Sequence, residues 1–284
     1  MTTPTNAPAR AAKRLSPHVA ATRAEALATF RASAPHLRLP AVTVVIAALD
    51  EAGSIADVVH GIPAEACGLR TGALVVDDGS TDGTAEVARA AGAHVVRLER
   101  NCGHGIALRV GYELARDLGA RFIVTLDGDG QWDPSELEVV LAPVAAGEAD
   151  LALGSRVLGH SEIDDRLRLA GVRVFAALTR LLTGVRVTDT STGYRAMRAE
   201  VTATVPQRQP QYQTAELLIG AVLHGYRVVE RPIVQRRRMA GQSKKGNDLL
   251  YGLRYLCVIL ATWLRERPRR GERAESEPAR AYSR

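Results

Sequence analysis

Cysteines, aromatic residues and long apolar runs are all scarce in this 284-residue sequence. The three cysteines, Cys67, Cys102 and Cys257, are odd in number and widely spaced, so they cannot form a disulfide framework, and no Cys-x-x-Cys pair offers a zinc site. Aromatic residues make up 4% of the chain and are not interleaved with the basic charges at its two ends. Base stacking on such ends is not expected. We therefore expect a protein of a reducing compartment that does not bind nucleic acid.

Apolar segments long enough for export or membrane insertion are not evident. Residues 1–30 contain no uninterrupted apolar stretch of the ~7–15 residues that a secretory signal has. The apolar stretch at 248–267 is interrupted by Arg254 and falls short of the ~20 residues that span a bilayer. We expect a cytoplasmic protein in which this amphipathic helix packs on the domain or on a second subunit, or lies at the inner face of the membrane with Trp263 at headgroup level.

Positive charge is concentrated at the two ends of the chain. Residues 1–39 hold six Arg or Lys against one Glu, residues 265–284 hold seven Arg against four Glu, and the whole chain has a formal net charge of +6. The segment between these ends is slightly acidic, which argues against a basic groove within the fold. Such ends are compatible with weak attraction to an anionic membrane surface. The simplest interpretation is that both ends are solvated.

From residue 41 onward, short apolar runs alternate with amphipathic segments. The runs predict buried strands at 41–49, 72–76, 94–98, 121–126 and 150–154, with helices near 54–60, 83–92, 104–118 and 134–146. Further along, the pattern predicts helices near 165–183 and 212–224 and a strand within 226–237. This alternation is typical of an α/β fold with a mostly parallel central sheet flanked by helices.

Acidic residues follow three of the predicted strands. They occur in Leu49-Asp50-Glu51, in Asp77-Asp78 and in the segment from Asp127 to Gln131. In parallel sheets, ligands bind beyond the carboxyl ends of the strands, and so many carboxylates at one edge would repel one another without a cation. Asp127, Asp129 and Gln131 fall on one side of an extended segment, and their oxygen atoms suit Mg²⁺ or Mn²⁺. The sequence therefore predicts a divalent-metal site beside phosphate oxygens.

Seven segments resemble, in order and spacing, family 2 glycosyltransferases of the GT-A fold, and most of all the dolichol-phosphate mannose synthase and polyprenyl-phosphate glycosyltransferase group. They are VVIAALDEAGSI, VVDDGSTDGT, NCGHGIALRVGYELA, VTLDGDGQWDP, GSR at 154–156, DTSTGYRA at 189–196 and RMAGQSK at 238–244. The resemblance covers residues 41–246, with a nucleotide-sugar half at 41–156 and an acceptor half at 157–246. Outside it remain a basic N-terminal extension at 1–40, the apolar helix at 247–265 and a basic tail at 266–284.

The resemblance implies a metal-dependent, inverting transfer of a hexose from a GDP- or UDP-sugar to polyprenyl phosphate or a related acceptor. Asp127, Asp129 and Gln131 match the motif that binds metal and diphosphate. Arg156 and Arg238 match basic residues near the diphosphate, and Arg168 matches one near the acceptor phosphate. The implied donor-binding residues are Ala47, Leu49, Glu51, Asp77 or Asp78, and Lys244 of a flexible loop, with His104 either a donor contact or simply the first residue of a helix.

Two departures from the family pattern concern the base and the acceptor. Ala47 and Asp50 stand where the family usually has Pro and Asn, which leaves the base preference open. Where the lipid-phosphate branch has an Arg followed four positions on by Ser or Asn, the best alignment gives Arg168 and Val172, which removes a hydrogen-bond donor for the acceptor phosphate.

Other functions and roles remain open. A phosphate acceptor is already anionic and needs no base, whereas a hydroxyl acceptor does, and Glu216 is then the candidate. The alternative role of Glu216 is to complement a helix dipole. A non-catalytic nucleotide-sugar-binding relative would keep the fold, but we expect it to lose Asp129 or Arg238, and both are present. The oligomeric state is open.

Overall fold

The computed structural model describes residues 16–238 and 248–267, without the side chains of 166–168 and 248–251. The strands in these ranges are β1 (Val42–Ala48), β2 (Glu65–Ala66), β3 (Leu69–Asp77), β4 (His94–Arg97), β5 (Phe122–Asp127), β6 (Leu151–Ser161), β7 (Arg195–Arg198) and β8 (Val228–Gln235). The α-helices are α1 (Pro17–Ser33), α2 (Ile55–His60), α3 (Thr84–Ala90), α4 (His104–Asp117), α5 (Leu137–Ala145), α6 (Arg166–Thr183), α7 (Ala199–Thr204), α8 (Gln213–Leu223) and α9 (Asp248–Glu266).

The strands form one mixed sheet in the order β2-β3-β1-β5-β7-β6-β8, with β4 also paired to β3. The pairs β1–β3, β1–β5, β3–β4 and β6–β8 are parallel, as the alternating pattern predicts. β7 is antiparallel to both of its neighbours. The apolar pattern does not predict β7, because this short strand follows the polar segment 189–193 and contains two arginines. The fold is thus an α/β sandwich around a mostly parallel sheet.

Apolar residues cover both faces of the sheet. β1 is buried along its whole length, since its alternate side chains enter different clusters. Val45 packs with α1, α4 and α8 on one face, and Val44 packs with α2 and α5 on the other. A strand buried on both faces needs a continuous β-branched run rather than alternation, and VTVVIAA supplies one. The helices predicted between the strands therefore lie where an α/β fold requires them.

Helix α1 corrects the expectation that the N-terminal charges are solvated. Pro17 occupies the first turn, where its missing N–H costs no hydrogen bond. Leu27 and Phe30 are buried in the core cluster of α4. Arg31 forms ion pairs with Glu113, at 3.2 Å, and with Asp117, both on α4. The basic charges of this segment thus serve to dock α1 on the α/β core.

Helices α6, α8 and α9 pack together around a third apolar cluster, and the opposite side of α8 contributes to one of the sheet clusters. Ile219 of α8 and Ile259 of α9 are fully buried in this third cluster. The ring of Phe175 in α6 lies 4.8 Å from the ring of Tyr255 in α9. The Tyr255 hydroxyl donates to the backbone carbonyl of Thr190 at 2.8 Å. Through this bond α9 is attached directly to the polar segment that precedes β7.

Candidate functional site

An open cleft of about 510 Å³ lies at the carboxyl ends of the parallel strands. The parallel register explains its position, because Ala48 of β1 is level with Asp77 of β3, and Ala47 is level with Asp127 of β5. The acidic residues that follow these strands are thereby brought to one edge. The predicted site residues that line the cleft are Ala47, Leu49, Glu51, Asp78, His104, Asp127, Asp129, Gln131 and Arg238.

The carboxylate of Asp127, the last residue of β5, accepts a hydrogen bond from the indole of Trp132. The Trp132 Nε1 donates to Asp127 Oδ2 at 2.9 Å. Nε2 of His104, the first residue of α4, lies 3.9 Å from Asp127 Oδ1. Gly193 approaches from the other side, so closely that a Cβ built there would lie 2.3 Å from Asp127 Oδ2. The carboxylate is thus confined to one orientation at the edge of the cleft.

Asp129 is more deeply buried than Asp127 and faces a guanidinium. Its Oδ1 accepts from the Gln131 backbone N–H at 3.0 Å, and its Oδ2 lies 2.7 Å from Arg238 Nη2. Burial and the nearby charge of Asp127 raise the pKa of Asp129 to about 6, against the opposing effects of Gln131 N–H and Arg238. The turn between Asp129 and Gln131 requires Gly130, whose φ of 72° is costly for other residues.

The segment that carries this motif is fixed to two other parts of the sheet edge. The Ser54 hydroxyl donates to the Gly128 carbonyl at 2.8 Å. The Arg236 backbone N–H donates to the Gln131 carbonyl at 2.8 Å. Arg238 follows Arg236 along the same segment, and its Nη1 lies 3.2 Å from Glu51 Oε1. The acidic ends of β1 and β5 therefore share one guanidinium.

The arrangement fits a divalent cation that is also bound by a ligand. In the described part of the chain no three His, Cys, Asp or Glu side chains form a ready-made metal cluster. Asp127 and Asp129 nevertheless share the cleft with Gln131, and a cationic guanidinium already compensates Asp129. Two carboxylates and an amide oxygen leave open positions, as Mg²⁺ requires when phosphate oxygens complete its shell. These three residues could hold Mg²⁺ or Mn²⁺.

Asp77 and Asp78 have different surroundings, although they are neighbours. Asp78 lines the cleft, and its two oxygens accept from the backbone N–H groups of Cys102 at 2.7 Å and Gly103 at 2.9 Å. Burial raises the pKa of Asp78 to about 6 despite these bonds. Asp77 is fully buried and accepts from Ser80 N–H at 2.8 Å. Of the two alternatives, the structure brings Asp78 to the cleft.

Arg156 lies behind the cleft rather than in it. Its Nε is 2.5 Å from Asp189 Oδ2, and its guanidinium lies 5.1 Å from the centre of the Trp132 ring. The residue is 7% exposed. Arg156 therefore supports Trp132, which in turn holds Asp127, and its Nη2 donates at 3.2 Å to the hydroxyl of Ser191, which lines the cleft.

Glu216 is also not brought to the cleft. It is fully buried, and its Oε2 accepts from the backbone N–H groups of Arg208 at 2.8 Å and Gln209 at 2.7 Å. Its Oε1 lies 3.1 Å from Arg265 Nη2 of α9. All of these contacts tie the loop before α8 to α9. Lys244 lies outside the described residues, and of Arg168 only the backbone, in the first turn of α6, is described.

Sequence reasoning missed Arg195 and Arg254. Arg195 is 1% exposed and donates to the carbonyls of Thr190 at 2.9 Å, Thr192 at 3.1 Å and Thr214 at 2.7 Å. It thereby holds the segment that carries Gly193 against the start of α8. The DTSTGYRA segment contains Arg195, but no sequence signal indicates that its side chain turns inward. Arg254 of α9 lines the cleft from outside the sheet.

Taken together, the strand topology and the acidic edge define a GT-A-type fold with a cleft suited to a nucleoside diphosphate and a divalent cation. Residues 43–205 match the family model described as Glycosyl transferase family 2. This match covers more than half of the chain, and the protein belongs to glycosyltransferase family 2.

Relatives and solved structures agree with this assignment. The chain is 37% identical over 171 residues to a dolichyl-phosphate hexose transferase of Haloferax volcanii, covering 60% of this chain and 72% of that protein. It is 33% identical over 203 residues to a polyprenol monophosphomannose synthase of Mycolicibacterium smegmatis, covering 67% and 75%. The crystal structure of glucosyl-3-phosphoglycerate synthase from Mycobacterium tuberculosis with Mn²⁺, UDP and glucosyl-3-phosphoglycerate matches at a TM-score of 0.62, with 21% identity and 86% of each chain covered. The last likeness establishes the GT-A fold.

Among the described residues, none of the helices meets the length and hydropathy needed to span a bilayer.

Proposed function

We propose that this protein transfers a hexose from a GDP- or UDP-sugar to polyprenyl phosphate or a closely related phosphate acceptor, with inversion at the anomeric carbon. The observation that carries the proposal is the shared cleft of Asp127, Asp129, Gln131 and Arg238 at the carboxyl ends of β1 and β5. The relatives from Haloferax volcanii and Mycolicibacterium smegmatis, named for transfer to dolichyl or polyprenyl carriers, support the acceptor class.

The donor half of the site follows from its charges. Asp78 and the start of α4 bound the part of the cleft that we assign to the nucleoside, together with Ala47 and Leu49. The diphosphate would lie at Asp127, Asp129 and Gln131. A divalent cation bound by these three residues would compensate the negative charge that develops on the departing diphosphate. Arg238 supplies a further positive charge on the same wall, where water is partly excluded and electrostatic stabilisation is stronger.

The reaction is a single in-line displacement. An oxygen of the acceptor phosphate attacks the anomeric carbon, a new carbon–oxygen bond forms, and the bond to the diphosphate breaks, with its electron pair remaining on the diphosphate oxygen. A phosphate acceptor is an anion near neutral pH, so no residue has to remove a proton. The position of Glu216 supports this choice, because both of its oxygens are engaged by Arg208, Gln209 and Arg265 away from the cleft.

Thermal unfolding with nucleotides tests the donor half. A ligand present at ~100 times its Kd stabilises the native state by about 2.7 kcal/mol. We expect GDP or UDP to raise the unfolding temperature in the presence of Mn²⁺ and far less in EDTA, with ADP as the unrelated nucleotide. No stabilisation by any nucleotide would contradict the proposal.

Transfer to defined acceptors tests the other half. A radiolabelled nucleotide sugar is incubated with polyprenyl phosphate or with the corresponding polyprenol, and label is counted in the organic phase. We expect label to follow the phosphate only, with a product of inverted anomeric configuration by NMR. Transfer to the alcohol at a similar rate would favour the hydroxyl-acceptor alternative.

A further inference from the structure

One wall of the cleft is formed by α9, which is not part of the sheet. Arg254 of this helix lines the cleft together with Asp127, Gly193 and Tyr212. Two carboxylates of the cleft, Glu51 and Asp129, form ion pairs with Arg238. Arg254 forms no ion pair with a carboxylate among the described residues. Arg254 therefore offers a positive charge to a ligand at the end of the cleft nearest to the helical layer.

The same helix exposes an apolar stripe next to Arg254. Leu253 is 57% exposed, Leu260 38% and Leu264 53%. Their spacing places them on one side of the helix, because residues 7 and 11 positions apart recur after about two and three turns. The side chain adjacent in sequence to the cleft arginine is thus an exposed leucine, and Arg254 lies at the boundary between the stripe and the cleft.

Helix α6 exposes a second stripe beside the first. Val174 is 63% exposed and Leu181 81%, and Ala170 is exposed one turn earlier. The two helices run side by side in the same direction, since Phe175 contacts Tyr255 and the Trp263 indole donates to the Leu182 carbonyl at 2.7 Å. We call the residues of both stripes the α6–α9 face: Ala170, Val174, Leu181, Leu253, Leu260 and Leu264.

The charges around this face are positive. Arg173 and Arg180 of α6 are exposed, and α6 contains no acidic residue. In α9, Glu266 is paired with His224 at 3.0 Å and with Arg265 at 2.5 Å, and the side chain of Asp248 lies outside the described residues. An exposed apolar surface flanked by unpaired cations is the pattern of a helix that lies on an anionic membrane. Each such cation adds about 1 kcal/mol of attraction to anionic lipid.

We propose that the α6–α9 face docks on an anionic lipid bilayer and that Arg254, at its edge, binds the phosphate of a lipid acceptor carried in that bilayer. Arg254 thereby supplies a phosphate contact where Val172, an apolar and 5% exposed residue of α6, supplies none. The phosphate role rests on the proposed function, whereas docking of the face does not.

Vesicle binding tests the docking surface without any activity assay. The variant L253S/L260S/L264S removes three exposed side chains and should leave the fold intact. We expect its partition into phosphatidylcholine–phosphatidylglycerol vesicles to fall about tenfold or more, since each leucine contributes buried apolar area. The matched control V139S/L158S removes exposed apolar residues from α5 and β6 and should bind like the wild type. R173Q/R180Q should weaken binding to these vesicles but not to vesicles of phosphatidylcholine alone.

Short-chain and long-chain acceptors test Arg254. A water-soluble, short-chain prenyl phosphate does not need a membrane, so L253S/L260S/L264S should use it normally and lose turnover only with long-chain acceptor in vesicles. R254Q should raise the KM for both acceptors, and the Kd of the short prenyl phosphate by calorimetry, about tenfold or more, because a charge-assisted hydrogen bond is lost. The KM for the donor should not change. The control is R70Q, an exposed arginine at the opposite end of β3.

The outcomes separate this inference from the function on which part of it rests. If the wild type transfers sugar to short prenyl phosphate but R254Q does so with an unchanged acceptor KM and Kd, the Arg254 assignment is wrong and the function stands. If the wild type uses no phosphate acceptor, the proposed function is contradicted, and vesicle binding still tests whether the α6–α9 face docks on a membrane. Vesicle binding that survives L253S/L260S/L264S overturns docking. Docking is also overturned if the wild type does not bind vesicles and analytical ultracentrifugation shows a wild-type dimer that L253S/L260S/L264S loses. The α6–α9 face would then be an interface between two copies of the chain.

Discussion

The guanidinium of Arg238 lies 2.7 Å from Asp129 Oδ2, so the carboxylate that the sequence assigns to a metal is already bound to a cation from the same chain. Glu51 shares this guanidinium at 3.2 Å. Loss of Arg238 would remove one of the two interactions that oppose burial and the charge of Asp127 at Asp129, the other being the Gln131 N–H bond. The ion pair therefore explains how two acidic strand ends face each other across the cleft.

Asp129→Asn should abolish metal-dependent turnover while leaving the protein folded. The amide keeps the shape of the side chain but removes a charge from the group that stabilises the leaving diphosphate, and we expect kcat to fall ~10²-fold or more. Nucleotide stabilisation should also become independent of Mn²⁺ in thermal unfolding. The control is Asp164→Asn, an exposed residue of the loop before α6. Wild-type activity that persists unchanged in EDTA would contradict the metal assignment.

Gly193→Ala should damage the site. The added Cβ would lie 2.3 Å from Asp127 Oδ2, so the carboxylate or the loop must move. The loop resists because Arg195 and Tyr255 hold its backbone at Thr190. Since small displacements of catalytic groups are costly, we expect a loss of about 10²-fold in kcat/KM. Gly171→Ala, in α6 with no heavy atom within 4 Å of the added methyl, is the matched control. Equal activity of both variants would show that Asp127 can shift freely.

The donor wall of the cleft could be predicted because it depends on local sequence and on one topological rule. Short β-branched runs such as VTVVIAA favour buried strands, and parallel strands bring their carboxyl ends to one edge. Glu51, Asp78, Asp127 and Asp129 then follow without knowledge of any side-chain conformation. The proposed metal-binding motif can also be identified from the sequence, because Asp127 and Asp129 are only two residues apart.

The inward or outward direction of arginines could not be predicted in the same way. Arg156 follows the predicted strand at 150–154, but in the structure it lies within β6, and its side chain packs against Asp189 and the Trp132 ring behind the cleft. Glu216 begins a helix near the cleft, but Arg265 of α9 takes its carboxylate. These outcomes depend on partners 33 and 49 positions away in the chain, respectively. Arg254 was missed for the same reason, since the packing of α9 on α8 decides where it lies.

Glu216→Gln should lower stability rather than select between acceptors. The neutral side chain leaves Arg265 without its buried partner and presents an amide to the backbone N–H groups of Arg208 and Gln209. Arg265 keeps Glu266 as a partner at 2.5 Å, so we expect the free energy of unfolding in urea to fall by less than the roughly 3–5 kcal/mol that an unpaired buried charge costs. Glu200→Gln, whose side chain is 52% exposed, is the control. Normal stability combined with turnover lost only for a hydroxyl acceptor would restore Glu216 as a base.

Asp78→Asn should remove a pH dependence of stability that the wild type has. The pKa of Asp78 is about 6 in the folded protein and 3.8 in its ordinary state, so between these values the native state binds more protons than the unfolded state. Stability therefore falls as pH rises from about 4 to about 6, by up to about 3 kcal/mol from this group, and levels off above that range.

Urea unfolding of both proteins across this pH range measures the effect. The amide has one acceptor oxygen for the two N–H groups of Cys102 and Gly103, so near pH 4 the variant should be the less stable protein. As pH rises to neutral the wild type loses stability and the variant does not, so the difference between the two free energies of unfolding should change by up to about 3 kcal/mol in favour of the variant. Asp57→Asn, an exposed substitution in α2, should keep the wild-type profile. A difference between Asp78→Asn and wild type that is constant with pH would mean that the Cys102 and Gly103 N–H groups fully offset burial, and that Asp78 reaches the cleft as an ordinary, ionised carboxylate.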